Sequence, residues 1–327
     1  MLSHLPSIHR RIWVFPRTTD WWENFVMGIW GDEEWICHFR MTRSTFEFLV
    51  EQLTATLQRS STQMREPIPV RKRLAVAIWW MATNCCYRVV GQQFGIGRST
   101  ASAIVREVAA AMENPVFCSQ LMDPSSAHGF PFCIGAVDGP HIRILAPVRQ
   151  AAEFINRKSF FSVVLMGTVS RDGAIFPGAI LWNVGGVEVP PLILGDAAFP
   201  MRRWLMKPYG GNLNWIQAHF NHCLARARNV VERTFGRLKQ RWRCLQGTLQ
   251  VSEENLNPII ASCVVLHNVC EARKPESFRE DNYRTVHLPE ETWVEAEVER
   301  IRGAQDKEVW DAVAKFLWEN RHHRPQL

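Results

Sequence analysis

The sequence lacks the marks of several common protein classes. None of its nine cysteines forms a C-x-x-C pair, and no spacing of cysteine and histidine fits a zinc ligand set. Cys85 and Cys86 are adjacent, which is poor geometry for a bridge between them. The cysteine number is odd, and most of the others fall in apolar runs, as at Cys133 and Cys263. That argues against a disulfide framework and predicts buried, reduced thiols in an intracellular protein. His219 and His222 share a helix face, yet H-x-x-H without further ligands is a weak metal signal. The longest apolar run, Leu74 to Ala82, is far too short to cross a bilayer. Arg10 and Arg11 have no continuous apolar stretch behind them, so no secretory leader is expected. No internal repeat is visible. The expectation is a soluble protein of the nucleus or cytosol.

What is present is ample apolar material and a mild basic excess. The 327 residues are 46% hydrophobic, enough for one full core and room for a second. Lys and Arg number 38 against 32 Asp and Glu, a net charge of +6. This permits a nucleic-acid partner without requiring one. The distribution says more. Arg226, Arg228, Arg233, Arg237, Lys239, Arg241 and Arg243 crowd into one segment, and Arg71, Lys72, Arg73, Arg88, Arg98 and Arg106 form a second group. Beyond Lys274 the chain is richer in acid.

Residues 20–60 read as helical, with Trp21, Trp22, Phe25 and Val26, then Phe46, Leu49, Val50 and Leu53, at three- and four-residue steps. Val70 to Ala82 reads as a buried helix after Pro67 and Pro69. Tyr87–Phe94, Gly95-Ile96-Gly97 and Arg98–Met112 read as helix, short turn, helix. This fits either a helix-turn-helix or a plain helical hairpin. Its second helix would bury Ala101, Ile104, Val105 and Val108 and leave Arg98 and Arg106 on other faces, where they could meet DNA.

A Pro-, Asp- and Ser-rich stretch then marks a boundary. Beyond it, apolar runs at Phe132–Val137, Phe160–Val169, Ala174–Trp182 and Pro191–Leu194 read as strands. Long helices follow at about Asn214–Trp242 and Asn255–Ala272. A small terminal helix would carry Val309, Val313, Phe316 and Leu317. The division is therefore an all-α domain over 1–115, with the helix-turn-helix at 86–112, and a linker over 116–131. An α/β domain with a mixed sheet follows over 132–274, then a polar linker and terminal helix over 275–327.

Three acids stand out. Asp138 and Asp196 each follow an apolar strand directly, where sites gather in open α/β sheets. An Asp at such a place is also a common turn residue. On the long helix, Arg228, Glu232 and Lys239 fall within about 40° of one another at 100° per residue. Leu224, Val231, Phe235, Leu238 and Trp242 form the adjoining apolar stripe. Glu232 is then either one half of an Arg–Glu surface pair or an acid at the edge of the buried face, aimed at the sheet.

Thirty-five residues, 197–231, separate Asp196 from Glu232. This D, D-x35-E arrangement resembles that of DDE transposases. Arg228-x3-Glu232-x6-Lys239 also matches part of the Y-x2-R-x3-E-x6-K pattern of related insertion-sequence transposases, with Ala225 where the Tyr would stand. The closer resemblance is to the PIF/Harbinger transposases and the cellular nuclease-like proteins derived from them. It is carried by GAVDGPHIRI (135–144), FINRKSFFSVVLMGTV (154–169), LILGDAAFPMRRWLMKPY (192–209), ARARNVVERTFGRLKQRWRCL (225–245) and PIIASCVVLHNVC (258–270). It covers roughly residues 20–272.

The resemblance implies an RNase H-like catalytic domain, its mixed sheet flanked by helices, preceded by a helical domain with a helix-turn-helix. Asp138, Asp196 and Glu232 would then be the catalytic metal ligands. By the chemistry of two-metal sites Asp138 would bridge the ions, and His141 is either just behind the ligands or an ordinary core or strand-end histidine. Hard divalent cations, Mg²⁺ or Mn²⁺, suit such oxygen donors and phosphodiester hydrolysis. DNA is the implied substrate, with Arg98, Arg106, Arg228, Arg233, Arg237, Lys239 and Arg241 neutralising its backbone. A Myb-like partner protein and a nuclear location come with the same resemblance. The sequence departs from the family at Pro140, which replaces a Thr, and over 174–191. There Pro177-Gly178 survive, but the P-G-S-x-H-D pattern does not, and the segment is shortened. These departures favour a second reading, an impaired DNA-binding or adaptor protein that keeps the fold.

Overall fold

The computed structural model describes residues 17–60, 66–113, 133–148, 151–169, 182–184, 187–189, 192–200, 202–273 and 304–321. The expected linker 116–131, the polar stretch 275–290 and most of the departing segment 174–191 lie outside them. The chain divides into two compact units, Met1–Val108 and Ala109–Leu327.

The first unit is helical. A π-helix, Trp21–Ile29, precedes α1 (Asp32–Phe39), α2 (Arg43–Leu57), α3 (Val70–Thr83), α4 (Tyr87–Gln93) and α5 (Arg98–Met112). Local chemistry explains the boundaries. Asp32, Glu33 and Glu34 crowd the first turn of α1, where the helix dipole favours negative charge. Arg40 ends α1 in the left-handed region at φ 62°. Thr42 caps α2 by accepting the Thr45 N–H at 3.2 Å. Helix α3 is apolar nearly all round, and every residue from Arg73 to Ala82 is buried, so it is the axis of this unit. Trp35 packs against Phe39 and Phe46 with ring centroids 4.6 and 4.9 Å away.

The turn between α4 and α5 needs Gly95 at φ +63°, because a Cβ there would lie 2.5 Å from the Thr18 carbonyl oxygen. As expected, α5 buries Ala101, Ile104, Val105 and Val108. Arg98 and Arg106 are exposed.

The second unit is built on short strands and long helices. In chain order these are β1 (Cys133–Asp138), β2 (His141–Arg143), β3 (Ser162–Val164), β4 (Gly167–Val169), β5 (Trp182–Val184), β6 (Val187–Val189), β7 (Leu192–Leu194) and β8 (Leu205–Met206). Helices α6 (Trp215–Arg241), α7 (Leu256–Ala272) and α8 (Ala304–Glu319) follow. The main sheet has the order β4-β1-β7-β8. β1 is antiparallel to β4 and parallel to β7, and β7 is parallel to β8, so the sheet is mixed as expected.

The run 160–169 forms two strands rather than one. β2 pairs with β3 and β1 with β4, and the ladder breaks at Gly139-Pro140 opposite Leu165-Met166. Pro140 has no N–H to donate, and only its carbonyl takes part, accepting from Leu165 N at 3.0 Å.

Asn214 opens α6 with a reciprocal cap. Its side chain accepts the Gln217 N–H at 2.9 Å, while Gln217 Oε1 accepts the Asn214 N–H at 3.0 Å. The predicted stripe of Leu224, Val231, Phe235, Leu238 and Trp242 is buried, joined by Phe220. α8 is held on the segment that leads into α6 by a stack of Trp310 on Tyr209 at 3.7 Å and by the Tyr209 hydroxyl donating to Asp311 at 3.0 Å. Among the described residues, no helix is long and apolar enough to cross a membrane. The described cysteines are all free thiols.

Candidate active site

The sheet brings two of the three acids together. Ala136 of β1 is paired with Leu194 of β7, and the strands are parallel neighbours. Asp138 and Asp196 each lie two residues past that pair, at the same edge of adjacent strands, where neighbouring backbones run about 4.8 Å apart. Both are half-buried. Asp196 is set in a local turn: its Oδ1 accepts the Ala198 N–H at 2.9 Å and its carbonyl the Phe199 N–H at 3.3 Å. Gly195 N donates to Met206 O at 2.8 Å, so the first residue after β8, Lys207, is level with Gly195, one residue before Asp196. The Lys207 ammonium reaches back to the Ala197 carbonyl at 3.5 Å.

Lys239 flanks the other aspartate. Its Nζ donates to the His141 carbonyl at 2.9 Å, just beyond the turn that carries Asp138. Burial lowers its pKa below the usual lysine value, and the nearby charge of Asp138 opposes that shift. The flank of α6 that carries Arg228, Glu232 and Lys239 therefore borders the strand ends at its Lys239 end.

Glu232 stands seven residues earlier, about 10 Å up the helix axis, and its side chain is exposed. Among the described residues, no three His, Cys, Asp or Glu side chains gather to hold a metal ion. Asp138 and Asp196 thus share one edge of the sheet by register, and Glu232 lies exposed on the flank of α6 that borders it. Two carboxylates still fit one hard cation. Mg²⁺ commonly takes one or two protein carboxylates and fills its octahedron with water and substrate phosphate oxygens.

The expected basic face of α6 is divided. Arg226 and Arg233 are exposed, while Arg228 and Arg237 are half-buried. Arg241 requires a correction: it is 3% exposed. It donates to Glu271 Oε1 at 2.7 Å and to the His267 carbonyl at 3.3 Å. Arg237 approaches the same glutamate at 4.0 Å. Arg241 falls on the apolar stripe of α6, so it is spent inside the α6–α7 contact and is absent from any DNA-facing patch. A sequence pattern of alternating charge shows no difference between a solvated arginine and one with a buried partner on another helix.

His141 is exposed at the start of β2. Its Nδ1 lies 2.9 Å from Ser162 Oγ, and Asn156 Nδ2 donates to the same oxygen at 3.1 Å. Ser162 and Asn156 escaped the sequence reading as site residues, as did Arg143 and Lys207. The one available signal was the asparagine of the Asn156-Arg157-Lys158 run.

Residues 179–268 match the family model described as DDE superfamily endonuclease. The chain is 26% identical over 305 residues to "Protein ALP1-like" of Arabidopsis thaliana, covering 77% of this chain and 75% of the relative. To "Putative nuclease HARBI1" of Bos taurus and of Homo sapiens it is 28% identical over 280 residues, covering 76% of this chain and 80% of each relative. These matches support the resemblance to the Harbinger transposase-derived family. No solved structure matches.

Proposed function

We propose that this protein is a Harbinger-type, transposase-derived endonuclease that hydrolyses DNA phosphodiesters with Mg²⁺ or Mn²⁺. The observation that carries the reading is the parallel register of β1 and β7, which sets Asp138 and Asp196 each two residues beyond the paired Ala136 and Leu194. These two carboxylates would hold the metal, which supplies an activated water and stabilises the leaving oxygen. Asp196 enters that role already oriented by its turn hydrogen bonds. Lys239 sets a positive charge beside Asp138, limiting repulsion between the acids. Glu232 is the third ligand of this reading by its D-x35-E position. The fold of the second unit is taken as RNase H-like. The α4–α5 pair, with Arg98 and Arg106 exposed, is taken as a helix-turn-helix on DNA. Work on DNA agrees with a nuclear location and with a Myb-like partner.

The exposure of Glu232, with no three-acid cluster among the described residues, favours one alternative: an adaptor that binds DNA without cutting it. A plasmid-cleavage assay in Mg²⁺ and Mn²⁺ separates the two. The nuclease reading expects metal-dependent nicking. Asp138→Asn or Asp196→Asn should lower it by more than the ~10- to 100-fold that loss of an outer partner of a metal ligand costs, and Glu232→Gln should follow them. If Glu232→Gln cuts like the parent, the third ligand is wrong. If the parent never cuts in either metal, the adaptor reading takes its place.

A further inference from the structure

Three atoms in a row determine which proton His141 carries. Asn156 Oδ1 accepts the N–H groups of Lys158 at 2.9 Å and Phe160 at 3.3 Å, so its amide nitrogen must face the other way. That nitrogen donates to Ser162 Oγ at 3.1 Å. Ser162 is 7% exposed, and among the described residues its only other side-chain partner is His141 Nδ1 at 2.9 Å. A buried hydroxyl keeps its hydrogen bonded, so the serine O–H points at Nδ1. Nδ1 is then an acceptor, and the proton of the neutral ring sits on Nε2. No contact within the described residues uses Nε2, and the residue is exposed.

The surroundings suit an anion. His141 and Arg143 share the outward face of β2, which alternates exposed, buried, exposed. The Arg143 guanidinium is 4.2 Å above the Phe160 ring, and the same ring lies 6.5 Å from His141. Arg157 and Lys158 are exposed on the tight turn just before Phe160. Lys239 bonds the His141 carbonyl from α6, tying this face to the strand end that carries Asp138.

We propose that the β2–β3 face is a backbone-phosphate site for duplex DNA, in which His141 donates through Nε2–H and Arg143 supplies the charge. This deepens the nuclease reading and rests on it only for the choice of polyanion. The site's two donors leave different marks. A neutral N–H contributes affinity without releasing a counterion, whereas a guanidinium against phosphate releases about one.

The test is fluorescence anisotropy of the full chain with a duplex oligonucleotide in EDTA, across a salt series. His141→Ala should weaken binding about 3- to 10-fold with the salt slope unchanged, and His141→Gln, which keeps an N–H, should recover part of it. Arg143→Ala should weaken binding and flatten the slope by about one unit. Side-chain ¹⁵N spectra should show His141 as the Nε2–H tautomer in the parent and as a mixture in Ser162→Ala. Parent-like affinity in both His141→Ala and Arg143→Ala, or an Nδ1–H tautomer in the parent, overturns the proposal. A protein that never cuts DNA yet loses affinity on His141→Ala keeps the phosphate site and loses the nuclease reading. One that cuts yet binds normally as His141→Ala does the reverse.

Discussion

The two units spend their charged residues differently. In the helical unit, the buried Arg73 of α3 pairs with Glu107 of α5 and donates to the Leu57 carbonyl. Around it nearly everything is apolar packing, from Trp35 and Phe46 to the sealed length of α3. The sheet-bearing unit has a matching interior pair, Arg241 with Glu271. It also holds Asp138, Asp196 and Lys239 only half-buried at a sheet edge. Half-buried charge is a poor way to stabilise a fold, because desolvation offsets most of the attraction. Charges kept there are better explained by what they bind. The contrast assigns packing to the first unit and chemistry to the edge of the second.

The largest difference between the units should come from the interior pairs. Glu271→Ala should cost about 3–5 kcal/mol, since it strands the Arg241 guanidinium without its carboxylate. Glu107→Ala should cost less, because the Glu107 side chain is 31% exposed against 10% for Glu271. Urea titrations of the two variants measure this, and equal losses would erase the distinction.

The next effect is in pH. Burial, then the charges of Arg241 and Arg237, push the His267 pKa well below its ordinary 6.5. The unfolded chain takes up a proton below about pH 6.5 that the folded chain refuses. Stability should therefore be full above that pH and fall on acidification, at up to about 1.4 kcal/mol per pH unit. Urea midpoints from pH 7.5 to 5 test the slope, which His267→Gln should flatten. A parent slope already flat there would show that the ring titrates normally.

The smallest effect should be common to both units. Thr42 and Asn214 cap α2 and α6 in the same way. Each change to Ala should cost about 1 kcal/mol. A thermal melt in which only one cap matters would show that its helix is held by packing instead.

Much of this was legible along the chain. The stripe from Leu224 to Trp242 gave the buried face of α6, and its approximate start at Asn214 was read correctly. Ala101, Ile104, Val105 and Val108 faced inward as their spacing required. Asp138 and Asp196 were visible as strand-end acids. Arg241 misled because it was read as one more member of a basic run, while its partner Glu271 lies on α7. His141 was seen only as a neighbour of Asp138. The residues that orient it, Ser162 and Asn156, come to it across the β2–β3 pairing.

The order of residues alone was enough for the helices, the strand runs, the strand-end acids and the family resemblance. Those features depend on periodicity and capping within a few residues of one another. Only the folded chain decided that β1 lies beside β7, that Arg241 is sealed inside, that Glu232 faces solvent and which nitrogen of His141 bears the proton. Each of these depends on hydrogen bonds and burial between segments far apart in sequence, and no local pattern encodes which distant partner will be there.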